Sequence, residues 1–169
     1  MGDQSDDLPD DPFEAFAAWM AFAVEAGVHE ADAAILATAD AAGRPSARHV
    51  LVKEVDAAGF RFYTNLTSRK AAEVAENPVA ALCYPWNILA RQVRVEGRVV
   101  ALSAEESDAY FASRPRESQI ASVASPQSRP VASRAELEAR VAEVAAAVGT
   151  GPVVRPEGWG GYRLVPDRI

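Results

Sequence analysis

Two turns of one composition, Asp40-Ala41-Ala42-Gly43 and Asp56-Ala57-Ala58-Gly59, each close a compact apolar run and set the first constraint on the fold. An Asp side chain bonds backbone N–H groups two residues on, and Gly accepts the positive φ of a tight reversal. The runs they end, Ala33 to Ala39 and Ser46 to Val55, have strand length, and Phe60 to Asn65 supplies a third strand at once. Strands this close in sequence pair as antiparallel hairpins. Val79 to Pro85 continues the pattern. After it, Val93, Val95 and Val99 alternate with Gln92, Arg94, Glu96 and Arg98, the clearest period of two in the chain. A short run from Gly161 to Val165 is the last candidate strand.

Helices fill the intervals. Asp11 caps and Pro12 starts a first helix whose Phe13, Phe16, Ala17, Met20 and Val24 recur at helical spacing until Gly27. Thr67 or Ser68 caps a second, running to about Asn77 and stopped by Pro78. Ser103-Ala104-Glu105-Glu106 has the form of a capping box for a helix from Ala104 to Ala112, ending before Arg114-Pro115-Arg116. Glu117 to Ala124 and Arg134 to Val148 follow, the last closed by Gly149. Five or six strands joined mostly by tight turns predict a mainly β chain with helices (α+β), an antiparallel closed barrel rather than alternating βαβ units. At 169 residues and 49% hydrophobic content there is room for one cored domain, over 11–169, behind an acidic, disordered lead-in at 1–10.

A net charge of -7 argues against a general nucleic-acid binder, so any anion must meet a local basic cluster. Cys83 is alone and cannot form an internal disulfide. With no basic, apolar leader and no apolar stretch of about 18 residues, the expectation is a cytoplasmic protein without a membrane partner.

The strongest local conflict is at Thr67-Ser68-Arg69-Lys70, where two cations occupy the positive end of a helix dipole. An anion docked on the free N–H groups, a hydroxyl, Arg69 and Lys70 resolves it; the alternative is a solvated turn whose long side chains point away. Arg48 and Lys53 bracket Val50, Leu51 and Val52, but residues 48, 50 and 52 face one side of the strand and 49, 51 and 53 the other. They serve one ligand only if a bulge or strand end intervenes; otherwise they are strand ends reaching water. Ser113-Arg114-Pro115-Arg116-Glu117-Ser118 is a second basic elbow, either a phosphate clamp or a solvated linker. His29, His49 and Cys83 lack metal-ligand spacing and assemble no triad. Gly158-Trp159-Gly160-Gly161 reads as a packing feature.

Several segments, in this order, resemble the pyridoxamine 5'-phosphate oxidase family from Asp11 to Ile169. They are Arg48-His49-Val50-Leu51-Val52-Lys53, Phe62-Tyr63-Thr64-Asn65-Leu66 with Ser68-Arg69-Lys70, Arg91-Gln92-Val93, Tyr110-Phe111 with Ser113-Arg114-Pro115-Arg116 and Ser118-Gln119-Ile120, Gln127-Ser128, and Trp159-Gly160-Gly161. The resemblance implies a split β-barrel homodimer with FMN at the subunit interface. Arg48, His49, Val50, Leu51, Val52, Lys53, Tyr63, Thr64, Arg69 and Lys70 match flavin contacts, as do Gln92, Gln127 and Ser128, some of them across the dimer. Lys53, Tyr110, Arg114 and Ser118 match the positions that hold the substrate phosphate.

The implied reaction oxidises pyridoxamine or pyridoxine 5'-phosphate to pyridoxal 5'-phosphate, with hydride transfer to the flavin and reoxidation by O2. The other readings are a related flavin oxidase with another substrate, such as a phenazine-type ring, and a non-catalytic FMN- or pyridoxal-phosphate-binding module. The family continues beyond the point matching Ile169 with a Trp and an Arg-Leu-His-Asp-Arg run that touch flavin and substrate. Activity is expected where the intact protein carries that run, and weak FMN binding where it does not.

Overall fold

The computed structural model describes residues 9–169, so most of the lead-in expected over 1–10 lies outside the described residues. Helix α1 (Pro12–Glu25) starts where the sequence puts it, with the Asp11 carboxylate accepting from Phe13 N at 2.7 Å. Strands β1 (Ala33–Ala39), β2 (Pro45–Asp56) and β3 (Gly59–Asn65) follow as successive hairpins. In the first turn Asp40 Oδ1 accepts from both Ala42 N and Arg44 N, while Gly43 takes a φ of 77°. Next come α2 (Arg69–Glu76), β4 (Val79–Trp86), a single 3-10 turn and β5 (Arg91–Ala101). Helices α3 (Ala104–Ser113), α4 (Arg116–Ala124) and α5 (Arg134–Val148) precede the last strand, β6 (Trp159–Arg168).

The six strands close into one antiparallel barrel in the order β1-β2-β3-β6-β5-β4, as the α+β, antiparallel-barrel reading expects. Closure removes the unpaired edges that an open sheet of this size would leave. Strand β6 runs longer than Gly161 to Val165 because it is held on both sides, against β3 and β5; pairing rather than propensity makes this Gly-rich segment a strand.

One end of the barrel core is an aromatic cluster. Phe16 of α1 meets Phe60 edge-on at 5.1 Å and packs near Tyr84 and Trp86, and the Trp86 indole donates to Ala31 O at 3.0 Å. Burying one such side chain contributes roughly 1.5–3 kcal/mol. This contact corrects the α1 face read from the sequence. Ala23, two turns from Phe16, stays in line and is buried, whereas Val24 is rotated a further ~100° and lies 63% exposed, and Ala17 is exposed too. Along β2 the inward set is Ser46, Arg48, Val50 and Val52, and the outward set is His49, Leu51 and Lys53. The β2–β3 register then slips between Val52 and Glu54, a bulge at Lys53.

Candidate functional site

A cavity of about 580 Å3 lies against the outward residues His49, Leu51 and Lys53 of β2 and Tyr63 of β3. Thr64, Lys70 and Gln127 close one part of its lining; Tyr110, Arg114, Ser118 and Ser122 bring in α3 and α4, and Trp159 joins from the start of β6. The barrel supplies a rigid wall and the helices supply a cover.

Lys70 enters from the first turn of α2. It is only 9% exposed, and its ammonium donates to Thr64 Oγ1 at 3.0 Å and Ser68 Oγ at 3.3 Å. No carboxylate pairs with it among the described residues. Burial, and then the nearby charge of Arg48, pull its pKa below the ordinary lysine value. Ser68, at the N-cap, makes no side-chain cap bond, so the helix entry keeps its donors for another acceptor. A buried cation matched only by hydroxyls at an uncapped helix start is a site built for an anion. Thr64 is held from the other side by Gln127, whose Oε1 also accepts from Asn65 N at 3.0 Å.

Arg69 does not join Lys70 there. Its Nε pairs with Glu73 Oε1 at 2.8 Å, and it lines a separate groove with Asp40, Arg44 and Glu76. The two-cation convergence expected at the helix entry is therefore a one-cation site with the second cation turned outward. Arg48 likewise lies on the inward face, apart from Lys53, as the strand period requires. Arg48 is not a strand end reaching water, since it donates to Leu36 O, Thr38, Ser46 and Glu73, whereas Lys53, on the exposed face, pairs with Asp32 at 2.6 Å beside the cavity.

The elbow between α3 and α4 divides its arginines in the same way. Arg114 lines the cavity, lies 5.0 Å over the Trp159 ring and donates to Ser122 Oγ at 2.8 Å. Burial lowers its pKa. Arg116 turns away and donates to Gly149 O and Gly151 O, closing the end of α5. Tyr110 stacks on Tyr63 at 3.8 Å, and Trp159 lies parallel to both. Burial raises the Tyr110 pKa, while the charges of Lys53 and Arg114, which line the same cavity, oppose it. Tyr63 is fixed at its far end by a 3.2 Å bond to Glu54, and burial together with that carboxylate keeps its phenol protonated.

Of the residues singled out from the sequence, the cavity brings together His49, Val50, Leu51, Lys53, Tyr63, Thr64, Lys70, Tyr110, Arg114, Ser118 and Gln127. Arg48, Val52, Arg69, Gln92 and Ser128 are outside its lining. Val52 is core, and Gln92 is exposed on the outer face of β5. Sequence reasoning missed Trp159 and Ser122. The available signals were the flanking glycines and the spacing of Ser122 one turn from Ser118. At Gly161 a Cβ would lie 2.8 Å from the Tyr63 ring and 2.6 Å from Leu102 Cδ1, so the glycine is what lets Tyr63 lie across β6 beside Trp159.

A profile of the family described as pyridoxamine 5'-phosphate oxidase matches residues 20–147. Proteins named pyridoxine/pyridoxamine 5'-phosphate oxidase are 55% identical to this chain in Paraburkholderia phymatum, over 96% of the chain and 76% of the relative, and in Anaeromyxobacter dehalogenans, over 94% and 80%. Among solved structures, PhzG from Burkholderia lata, in complex with tetrahydrophenazine-1-carboxylic acid, superposes with a TM-score of 0.88 at 34% identity, over 98% of this chain and 81% of PhzG. A pyridoxamine 5'-phosphate oxidase-related, FMN-binding protein from Nostoc punctiforme shares the fold, with a TM-score of 0.71 at 18% identity over 94% of this chain and 83% of its own.

Proposed function

The chain belongs to the pyridoxamine 5'-phosphate oxidase family, and on that premise we propose that it oxidises pyridoxamine or pyridoxine 5'-phosphate to pyridoxal 5'-phosphate, with FMN as cofactor and O2 as acceptor. The observation that carries this reading is one cavity with cations at two separate places: Lys70 with Thr64, and Lys53 and Arg114 with Tyr110 and Ser118. A cofactor and a substrate that each carry a phosphate need two such places. A neutral substrate needs one.

Lys70, Thr64 and the uncapped start of α2 suit the FMN phosphate, because the buried ammonium has hydroxyl partners and no carboxylate among the described residues. His49, Leu51, Tyr63 and Gln127 line the same cavity and would flank the body of the flavin. FMN, when bound, supplies the hydride-accepting ring and its reactivity with O2. The protein holds the substrate phosphate with Arg114, Lys53, Tyr110 and Ser118 and offers Tyr63, Tyr110 and Trp159 as parallel faces that align an aromatic substrate. A site of this kind needs no nucleophile or metal of its own. The reading includes a cytoplasmic homodimer with FMN at its interface. The cavity opens on the outer face of the barrel, and a second copy gives Gln92 and Ser128, which lie outside one chain's cavity, a site to complete.

The likeness to PhzG supports a second reading, oxidation of an unphosphorylated polycyclic acid. Purified protein supplied with FMN and pyridoxine 5'-phosphate separates the two. Yellow protein that releases hydrogen peroxide and pyridoxal 5'-phosphate is expected. Turnover of a tetrahydrophenazine carboxylate alone favours the second reading, flavin uptake without turnover of either leaves a binding module, and failure to take up FMN overturns both enzyme readings.

A further inference from the structure

Glu73 is absent from the cavity lining and from every motif that points to the flavin, yet it is the most heavily engaged carboxylate among the described residues. It sits on α2 one turn after Arg69, is 5% exposed, and its two oxygens are divided between different elements. Oε1 accepts from Arg69 Nε at 2.8 Å. Oε2 accepts from Thr38 of β1 and Ser46 of β2, both at 2.5 Å, and from Arg48 of β2 at 3.1 Å.

The two hydroxyls have their orientation dictated. Thr38 and Ser46 each accept from the Arg48 guanidinium and each donate to Glu73, so both bridge the same pair of charges. Arg48 is left with little beyond Nε and its charge for anything outside this network. The carboxylate, in the second turn of α2 and paired back to Arg69, thus ties the helix and its first turn to two barrel strands. That turn carries Ser68 and Lys70, the cap and the cation of the anion site.

We propose that Glu73 is a positioning residue for the phosphate of bound FMN: it clamps α2 to β1 and β2 through Thr38, Ser46 and Arg48, and so sets where Lys70 and the helix entry meet the phosphate. This rests on the FMN reading of the cavity. Its sign is not the obvious one. A carboxylate near an anion site repels the anion, so removing the charge alone strengthens phosphate binding. Removing a clamp weakens it. The two effects oppose each other, and the direction of the change tells them apart.

The test compares FMN with riboflavin, which has the same ring without the phosphate, by fluorescence titration of the full-length protein. Wild type is expected to prefer FMN. Glu73→Gln is expected to weaken FMN about tenfold, equivalent to ~1.4 kcal/mol, while leaving riboflavin nearly unchanged. Thr38→Val, which removes one bridging hydroxyl and leaves the carboxylate, is expected to shift the same preference in the same direction by a smaller factor, and it stands in if Glu73→Gln does not fold. Tighter FMN binding, or an equal proportional loss of both flavins, overturns the assignment. Wild type that takes up both flavins equally overturns the phosphate site itself, and wild type that takes up neither overturns the FMN reading on which the inference rests.

Discussion

The two basic elbows differ in what holds their cations. At the start of α2, Arg48 and Arg69 are tied to the buried Glu73, and Lys70 is pinned between Thr64 and Ser68. At the α3–α4 junction no carboxylate among the described residues meets Arg114, which rests on the Trp159 ring and bonds one serine hydroxyl. The first arrangement is a rigid, prepaid geometry suited to a cofactor that stays. The second keeps a cation on a polarisable face with donors to spare, suited to a ligand that comes and goes. A shared composition of Arg, Ser and a second cation therefore conceals two different devices.

The sharpest way to break this contrast is at Lys70. Lys70→Met is expected to raise the FMN dissociation constant roughly 10- to 100-fold, the loss of a charged hydrogen bond worth about 1.5–3 kcal/mol. The apo variant is expected to melt no lower than wild type, because a desolvated ammonium is replaced by an apolar chain of similar length. A flavin titration and a thermal melt check both halves. Arg114→Ala should leave flavin content intact and raise the KM for pyridoxine 5'-phosphate about tenfold, read from peroxide release. If it strips the flavin instead, the two elbows do not divide the labour as described.

Gly161→Ala tests the platform that joins the regions. A Cβ there meets Tyr63 and Leu102 well inside contact distance, so a destabilisation of roughly 1–3 kcal/mol is expected by chemical denaturation.

The acid limb of stability tests the rigid region alone. Burial opposes ionisation of Glu73, but Ser46, Thr38, Arg69 and Arg48 outweigh it and bring the folded pKa down to about 2. The unfolded carboxyl titrates near its ordinary 4.5. Ionised Glu73 therefore stabilises the fold at neutral pH, and that contribution disappears as pH falls from about 4.5 to about 2. Glu73→Gln should lower stability at pH 7 and flatten the dependence in that window. The smallest effect belongs to Arg69→Ala. It removes an i,i+4 pair whose arginine is largely exposed, worth about 0.3–0.5 kcal/mol, so FMN affinity should fall only about twofold.

Much of the barrel was legible from the chain. The Asp-Ala-Ala-Gly turns, the β5 alternation and the Ser103 capping box each encode their element locally, and Ala33–Ala39 and Arg134–Val148 begin and end where their patterns do. What escaped depends on tertiary partners. Val24 has the right spacing but the wrong rotation once Phe16 selects the buried face, and β6 exceeds its apolar run because two neighbours pair with it. At the site, the dipole conflict pointed to the helix entry where Lys70 is buried, but it grouped Arg69 with Lys70 when Arg69 turns to Glu73. Local charge does not reveal that Arg69 turns toward Glu73, since the carboxylate is held from two strands far away in sequence. Trp159 was hidden for the same reason: its role follows from Tyr63 lying across Gly161, which spacing along the chain does not express.

The central claim is that the α3–α4 elbow recognises a phosphate on the substrate while FMN sits at the α2 entry. The most direct measurement is kcat/KM for peroxide release by the FMN-loaded protein, with pyridoxine 5'-phosphate set against unphosphorylated pyridoxine. A preference for the phosphorylated compound of at least about 100-fold in wild type, reduced at least about tenfold in Arg114→Ala with flavin retained, is the predicted result. Equal turnover of the two compounds by wild type, or a preference that survives Arg114→Ala, would contradict it.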